Sequence, residues 1–299
     1  MKKNIKVVAV VVTYNRKELL RKCLRSILTQ STPCDVIVVD NNSSDGTNTM
    51  IESEFNDNRV DYVNTGANLG CSGGNFVGLK EALKNEYELV WIMDDDTIPE
   101  GDALEKLIEA GNQLKGDWGC LGSVVKWVDG SICKANRQKK TIFSFVSDEE
   151  INYKKIIKVQ MTSFVSMLVK TDVIRDVGLP KKEYMIWTDD YEFSGRISRK
   201  YPVYLVTNSV VNHEMKENKK PNFAIETPDR LDRYKYLYRN DVDCYRQFGL
   251  KGWAYIILKD CYGTVNVLLY SKSDKMKKIK IIWQSFGEGL KFKPEISKI

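Results

Sequence analysis

The chain has 299 residues, 42% of them hydrophobic, and a formal net charge of +6 that coexists with 40 aspartates and glutamates. That suffices for one large domain, or a large domain with a smaller appendage. The 7 cysteines are irregularly spaced with no C-x-x-C pair, which argues against structural zinc or a disulfide framework and fits free thiols in a reducing cytoplasm. The basic excess lies mostly toward the C-terminus and no nucleic-acid motif accompanies it, so phosphorylated ligands or an anionic membrane surface are the expected partners, not nucleic acid. No apolar run reaches transmembrane length, and the N-terminal run is too short for a signal peptide and lacks a small-residue cleavage site.

Residues 5–12, IKVVAVVV, read as a parallel strand covered on both faces, because valine is continuous rather than alternating. An amphipathic helix follows over 17–30, with Leu20, Leu24, Ile27 and Leu28 on one side. A strand over 35–39 leads to the turn cluster NNSSDGT at 41–47, which should cap the next helix. A strand over 59–63, a helix over 74–83, a strand over 88–93 and a helix over 99–114 continue the alternation. The pattern predicts an α/β fold: an open, mostly parallel sheet flanked by helices, with ligands at the carboxyl edges of the strands. Polar clusters at 13–16, 40–44, 64–75 and 94–97 occupy such edges.

The middle is less regular. Strand-like pieces lie within 118–132 and 141–146, around a turn at Asp129 and Gly130. A strand is expected over 159–169, a helix over 170–177, a helix over 186–201 with acids first and bases last, and a strand over 204–206. Beyond Pro221 long helical segments rich in Tyr, Arg and Lys run from about 230 to 286. The expected division is therefore a domain over 1–220 and a helical extension over 221–299.

Three consecutive aspartates, Asp94, Asp95 and Asp96, follow the apolar run LVWIM. Carboxylates this close repel unless water, hydrogen bonds or a cation offset the cost. A divalent ion of the Mg2+ or Mn2+ type that also holds phosphate fits this chemistry. On an extended strand end Asp94 and Asp96 share a face and Asp95 points away. A second acidic group, Asp189, Asp190 and Glu192 in MIWTDDYEF, could cap a helix or supply a general base toward an acceptor hydroxyl, with Trp187 as a stacking surface for a sugar. His213, the only histidine, could complete a metal shell begun by the aspartates. In the glycine- and asparagine-rich stretch 64–78, Gly70 permits close backbone approach and Asn68 can bond a base or sugar; there is no dinucleotide fingerprint and no Walker A pattern.

Together, VVVTYNRKELLRKCLRSILTQ, VIVVDNNSSDGT, NTGANLGCSGGN, WIMDDD, WTDDYEF and the late NHE resemble the family 2 glycosyltransferases with the GT-A fold, in this order over about residues 5–215. The chain is most similar to the bacterial rhamnosyltransferase and galactofuranosyltransferase-like branch, although ANLGCSGG stands where galactofuranosyltransferases often have a GGAGG loop. The resemblance implies an inverting, metal-dependent transfer from a UDP- or dTDP-linked sugar to a glycan or lipid-linked glycan in surface polysaccharide synthesis, such as capsule or O-antigen. It implies that Thr13, Asn15, Arg16, Asp40, Asn68, Gly70, Asp94 and Asp95 surround the donor nucleotide. It implies a metal on Asp94, Asp96 and His213, a catalytic base at Asp190, and acceptor contacts from Trp187, Asp189 and Glu192. The tail would lean on the inner face of the plasma membrane. The rival expectations are a sugar-phosphate nucleotidyltransferase, or a nucleotide-sugar-binding protein without turnover.

Overall fold

The computed structural model describes residues 5–298. In the N-terminal part β1 (Val7–Thr13), α1 (Lys17–Leu28), β2 (Asp35–Asp40), α2 (Thr47–Glu54), β3 (Val60–Asn64), α3 (Gly70–Ala82) and β4 (Leu89–Asp94) alternate as expected. Then come β5 (Thr97–Pro99), α4 (Ala103–Gln113), β6 (Cys120–Trp127), the small pair β7 (Lys139–Thr141) and β8 (Ser144–Phe145), and α5 (Asp148–Tyr153). They are followed by β9 (Ile156–Val159), β10 (Met167–Lys170), α6 (Thr171–Val177), α7 (Asp189–Ser198) and β11 (Val203–His213). Short 3-10 turns lead into α8 (Tyr234–Arg246), α9 (Gly249–Tyr270) and α10 (Lys275–Lys291).

The central sheet has nine strands in the order β3-β2-β1-β4-β10-β6-β11-β5, with β9 on the first half of β11. β1 to β4 are mutually parallel, β6 is parallel to β11, and β10, β5 and β9 run against them. The architecture is thus the α/β class expected, a mostly parallel sheet between helices with a helical C-terminal extension. Burial on both faces explains the unbroken valines. Ala9 and Val11 face the core with Leu20, Leu24 and Leu107, whereas Val8 and Val10 face the one with Leu79 and Ile174. Helix α3 lies unusually close to the sheet. A Cβ on Gly74 would sit 2.4 Å from Val12 and one on Gly78 2.4 Å from Val10, so only glycine fits at this pair of positions.

Several boundaries differ from the sequence expectation, among them the start of α3, at Gly70 and not 74, and the span of α7, 189–198 and not 186–201. Residues 159–169 are not one strand: β9 ends at Val159, and the chain crosses to β10 through a buried polar loop. In that loop the Ser166 hydroxyl bonds both Trp91 and Ser123 and the Thr162 N–H donates to Ser194 Oγ, whereas the Thr162 and Ser163 hydroxyls are buried with no hydrogen-bond partner among the described residues. Pro99 ends edge strand β5 instead of opening a helix, and α4 begins at Ala103; an edge is where a strand tolerates a residue without an N–H. The strand expected over 204–206 runs on to His213, past a register shift between Val206 and Val210.

The C-terminal helices share an apolar cluster of their own around Phe223, Tyr234, Tyr238, Val267 and Ile282. A second cluster joins Ile142 and Met161 of the earlier chain to Val242, Tyr245 and Ile256.

Candidate active site

Parallel strands end together. Thr13 lies in register with Asp40, Asp40 with Asn64, and Val12 with Asp94, so the polar clusters share one carboxyl edge. After β4 the chain turns at Asp95 and Asp96 and pairs β5 against the end of β11, His213 opposite Thr97. The Glu214 N–H donates to the Asp96 carbonyl at 2.9 Å. This pairing carries the sole imidazole to the aspartates, with His213 Nε2 2.9 Å from Asp96 Oδ1. Asp94, Asp96 and His213 each offer one ligand atom, all within 4.8 Å of one another.

The electrostatics follow from burial. Asp94 is pushed up to about 7, by burial first and by Asp96 next, and no hydrogen bond to its carboxylate is found among the described residues. Burial also raises Asp95 to about 6, despite Arg16 and the Thr13 hydroxyl. For Asp96 burial acts upward, but the His213 hydrogen bond and Arg16 outweigh it and hold the carboxyl below its usual range. Burial opposes a charged His213, yet Asp96 overcomes it and lifts the imidazole to about 10. His213 Nδ1 lies 3.0 Å from Asn136 Oδ1, which also accepts from Cys133 Sγ at 3.1 Å. That contact fixes the ring with Nε2 toward the carboxylates. Asn136 has no counterpart in the sequence expectation.

This donor set fits a divalent cation. Two carboxylates, Asp94 half-buried and Asp96 buried, suit a hard ion, and a ring oriented through Nδ1 leaves Nε2 as a ligand. The unbonded Asp94 carboxylate is the group such an ion would satisfy.

The remaining donor-side candidates line the same edge. Thr13 Oγ1 donates to Asp95 at 2.7 Å, and Arg16 bonds Asp96 at 2.8 Å and Asp95 at 3.3 Å. Asn15, at φ 54°, accepts from the Ser44 N–H at 2.8 Å and so ties the β1 and β2 loops together. Buried Asp40 accepts from the Tyr62 hydroxyl at 2.6 Å and the Ser43 N–H at 2.8 Å. Asn68 accepts from the Gly70 N–H at 3.0 Å. Gly70 has φ 71°, and a Cβ there would stand 2.2 Å from the Met185 carbonyl oxygen, so this close approach is made to the chain itself.

Met185 opens the turn that presents the second acidic group. Met185, Trp187 and Thr188 all have positive φ, an unfavourable conformation for residues with side chains. Helix α8 holds them there. Buried Asn240 donates through Nδ2 to the carbonyls of Tyr184, Ile186 and Trp187, at 2.9, 3.1 and 3.0 Å. Thr188 donates to Asp241 at 2.7 Å, and Tyr184 to Asp243 at 2.7 Å. These residues went unnoticed in the sequence. The available signal was the polar run Asn240, Asp241 and Asp243 within an otherwise tyrosine-rich helix.

Burial raises the Asp189 carboxyl, and raises Asp190 well above its usual range with Asp189 as the next cause; the Asp94 charge adds to Asp190. Asp94 in turn feels Asp189. The two acidic patches therefore lie near enough for their charges to act on one another, with the imidazole at Asp96. Asp189 Oδ2 is buried with no well-formed hydrogen bond among the described residues, and the Ser72 hydroxyl and Cys71 thiol nearby act to lower the carboxyl against the effect of burial. Glu192 points elsewhere: its oxygens lie 3.0 Å from Arg196 and 3.4 Å from Lys181, in an interior ion network. Trp187 packs on Tyr234 with ring centres 4.6 Å apart, and the Arg233 guanidinium lies 5.6 Å from its ring. Arg233 also feels the charge of Arg16 across the cleft. A cavity of about 530 Å³ lined by Trp127, Lys134, Arg137 and Lys216 adjoins the site through Arg137, next in the chain to Asn136.

The chain is similar to known proteins in sequence and in fold. The chain is 26% identical over 209 residues to the GalNAc(5)-diNAcBac-PP-undecaprenol beta-1,3-glucosyltransferase of Campylobacter jejuni, covering 67% of this chain and 65% of that protein. It is 34% identical over 94 residues to galactofuranosyltransferase GlfT1 of Mycolicibacterium smegmatis, covering 31% of this chain and 30% of that protein. The matches thus span less than two-thirds of either relative. In fold it resembles S. aureus TarS 1-349 in complex with UDP, with a TM-score of 0.57 at 16% identity over 96% of this chain and 72% of that one. It also resembles GalNAc-T7 with UDP, GalNAc and Mn2+, with a TM-score of 0.64 at 13% identity over 97% and 57%. Residues 8–178, more than half of the chain, match the pattern of glycosyl transferase family 2, and the chain belongs to that family.

Proposed function

We propose that the protein is an inverting, metal-dependent glycosyltransferase that moves a sugar of the rhamnose or galactofuranose type from a UDP- or dTDP-linked donor to a glycan hydroxyl. One observation carries the reading: Asp190, made basic by burial, lies within the field of Asp94, beside the cluster of Asp94, Asp96 and His213. A divalent cation held by that cluster would neutralise the diphosphate as it leaves. Arg16 and Arg233 add fixed positive charge on the donor side. Thr13 and Arg16 orient Asp95 toward the donor. Asp190 takes the proton of the acceptor hydroxyl, whose oxygen attacks the anomeric carbon opposite the diphosphate. One displacement with a base and no protein nucleophile inverts the configuration.

Asp189 is the acceptor-side partner of Asp190, and Trp187 borders the same opening. Surface polysaccharide synthesis, of the capsule or O-antigen kind, suits an acceptor of this chemistry. The seven free cysteines support a cytoplasmic location.

Titration calorimetry with UDP, dTDP and GDP plus Mn2+, followed by hydrolysis of nucleotide sugars, tests the reading. Asp190→Asn should lower turnover by about 10²–10⁴-fold while nucleotide affinity changes little. Loss of nucleotide binding in that variant would remove Asp190 from the role of base, and a wild-type chain that binds no nucleoside diphosphate would remove the reading itself.

A further inference from the structure

The outward side of α9 is apolar along its whole length. Leu250, Ile257, Leu258, Tyr262, Val265 and Leu269 recur at helical spacing and are all exposed, Leu250 by 88% and Tyr262 by 68%. A surface helix ordinarily turns such a stripe inward and its polar residues outward. Here the order is reversed. Lys259 reaches Asp241 on α8, and Asp260 is fully buried. With 22 residues the helix is about 33 Å long, and no helix among the described residues is long and apolar enough to cross a membrane.

The charge around the stripe has one sign. Lys251 lies on it, and Lys272, Lys275, Lys277 and Lys280 are exposed where α9 passes into α10. Among the described residues no exposed position from 250 to 273 is acidic, and Asp274 is the one acid at the junction. Met276 and Trp283 add exposed apolar surface, and the Trp283 indole donates to Thr264 of α9, so it stands along the same helix. A stripe of aliphatic and tyrosine side chains bordered by lysines complements a bilayer whose headgroups are anionic.

We propose that the outer face of α9, with the lysines at its junction with α10, docks the protein on an anionic lipid bilayer, the helix lying in the interface plane. The opposite, inward side of α9 supports the turn that carries the second acidic group. Asp241 joins Lys259 to Thr188, the residue before Asp189 and Asp190. Val267 packs in one cluster with Phe223, Tyr234 and Trp187. A bilayer on the outer side would therefore lie one helix beyond the elements that hold this turn, and would keep a lipid-linked glycan acceptor in the neighbourhood of the protein. That consequence rests on the transferase reading, whereas the docking does not.

The test uses the full chain with vesicles of phosphatidylcholine alone and of phosphatidylcholine mixed with phosphatidylglycerol, read by flotation. The chain is expected to float with the anionic vesicles and far less with the neutral ones. The pair Leu258→Glu and Leu269→Glu should weaken this at least about tenfold, and each of Lys275→Gln, Lys277→Gln and Lys280→Gln by roughly fivefold, with UDP–Mn2+ binding kept as the check on folding. Equal flotation of the glutamate variant overturns the proposal, as does a wild-type chain that stays with the soluble fraction. A dimer seen by light scattering that the glutamates dissociate, without vesicle binding, assigns the stripe to a second copy instead. Failed docking with intact nucleotide binding leaves the transferase reading standing, and docking without nucleotide binding does the reverse.

Discussion

His213 has one ring nitrogen toward the aspartates and the other on Asn136. If the cluster holds a cation, His213→Ala removes a ligand, and Mn2+-dependent UDP affinity should fall sharply. Asn136→Ala keeps every ligand but frees the ring, so the loss should be smaller, about 10-fold at the low end of what such supporting contacts contribute. Calorimetry with and without Mn2+ measures both. Unchanged affinity in His213→Ala would take the residue out of the shell, and an Asn136→Ala loss equal in EDTA would mean general damage. The two residues also differ in how readable they were. His213 stood out because the chain has no other histidine and it follows a strand, whereas Asn136 sits in an irregular loop where nothing in the spacing marks a partner 77 positions away.

At the scale of elements, the turn over 185–188 is set by α8 more than by its own residues. Three positive-φ residues without glycine are costly in isolation, and Asn240 offsets the cost by bonding three carbonyls from one amide. Asn240→Ala leaves those carbonyls without that donor. A stability loss of about 1–3 kcal/mol is expected, together with a fall in turnover larger than any fall in nucleotide affinity, because the acids follow the turn and the metal cluster does not. Chemical denaturation and steady-state kinetics read the two effects. Turnover that stays unchanged despite the stability loss would show that the turn does not position Asp190. Strand and helix periodicity made the sheet legible through β4, since β1, β2 and β4 are covered on both faces and the valines of β1 and β2 say so. The loop between β9 and β10 was not legible, because polar residues mark a surface loop in a sequence and these are buried: Ser166 bonds Trp91 and Ser123 far away in the chain, and the Thr162 N–H bonds Ser194. The α8 clamp was hidden for a related reason: polar residues on a helix ordinarily mark its wet side, and here they mark the side that grips the turn.

The whole molecule carries the cluster's charge as a dependence of stability on pH. Asp94 at about 7 and Asp95 at about 6 lie above the ordinary carboxylate range, so the folded chain holds protons there that the unfolded chain releases. Such groups weigh against the fold increasingly as pH rises from about 4 through those values. His213, lifted to about 10, stabilises the fold fully below the ordinary histidine value and loses that contribution as pH climbs toward 10. Asp96 is held low, so its contribution is present above the ordinary aspartate value and is lost only as pH falls through its depressed one, on the far acidic side. Asp94, Asp95 and His213 therefore act in the same direction across the neutral range. The melting temperature of the chain in EDTA should decline from about pH 5 to about pH 9, and Asp94→Asn should flatten part of the slope. A divalent cation takes the place of the protons that Asp94 and His213 shed, so saturating Mn2+ should raise the melting temperature most at the alkaline end. Thermal melts at several pH values, with and without Mn2+, read this directly. A flat profile in EDTA would mean that the buried carboxyls and imidazole titrate as ordinary surface groups. A Mn2+ effect independent of pH would mean that the ion binds away from this cluster.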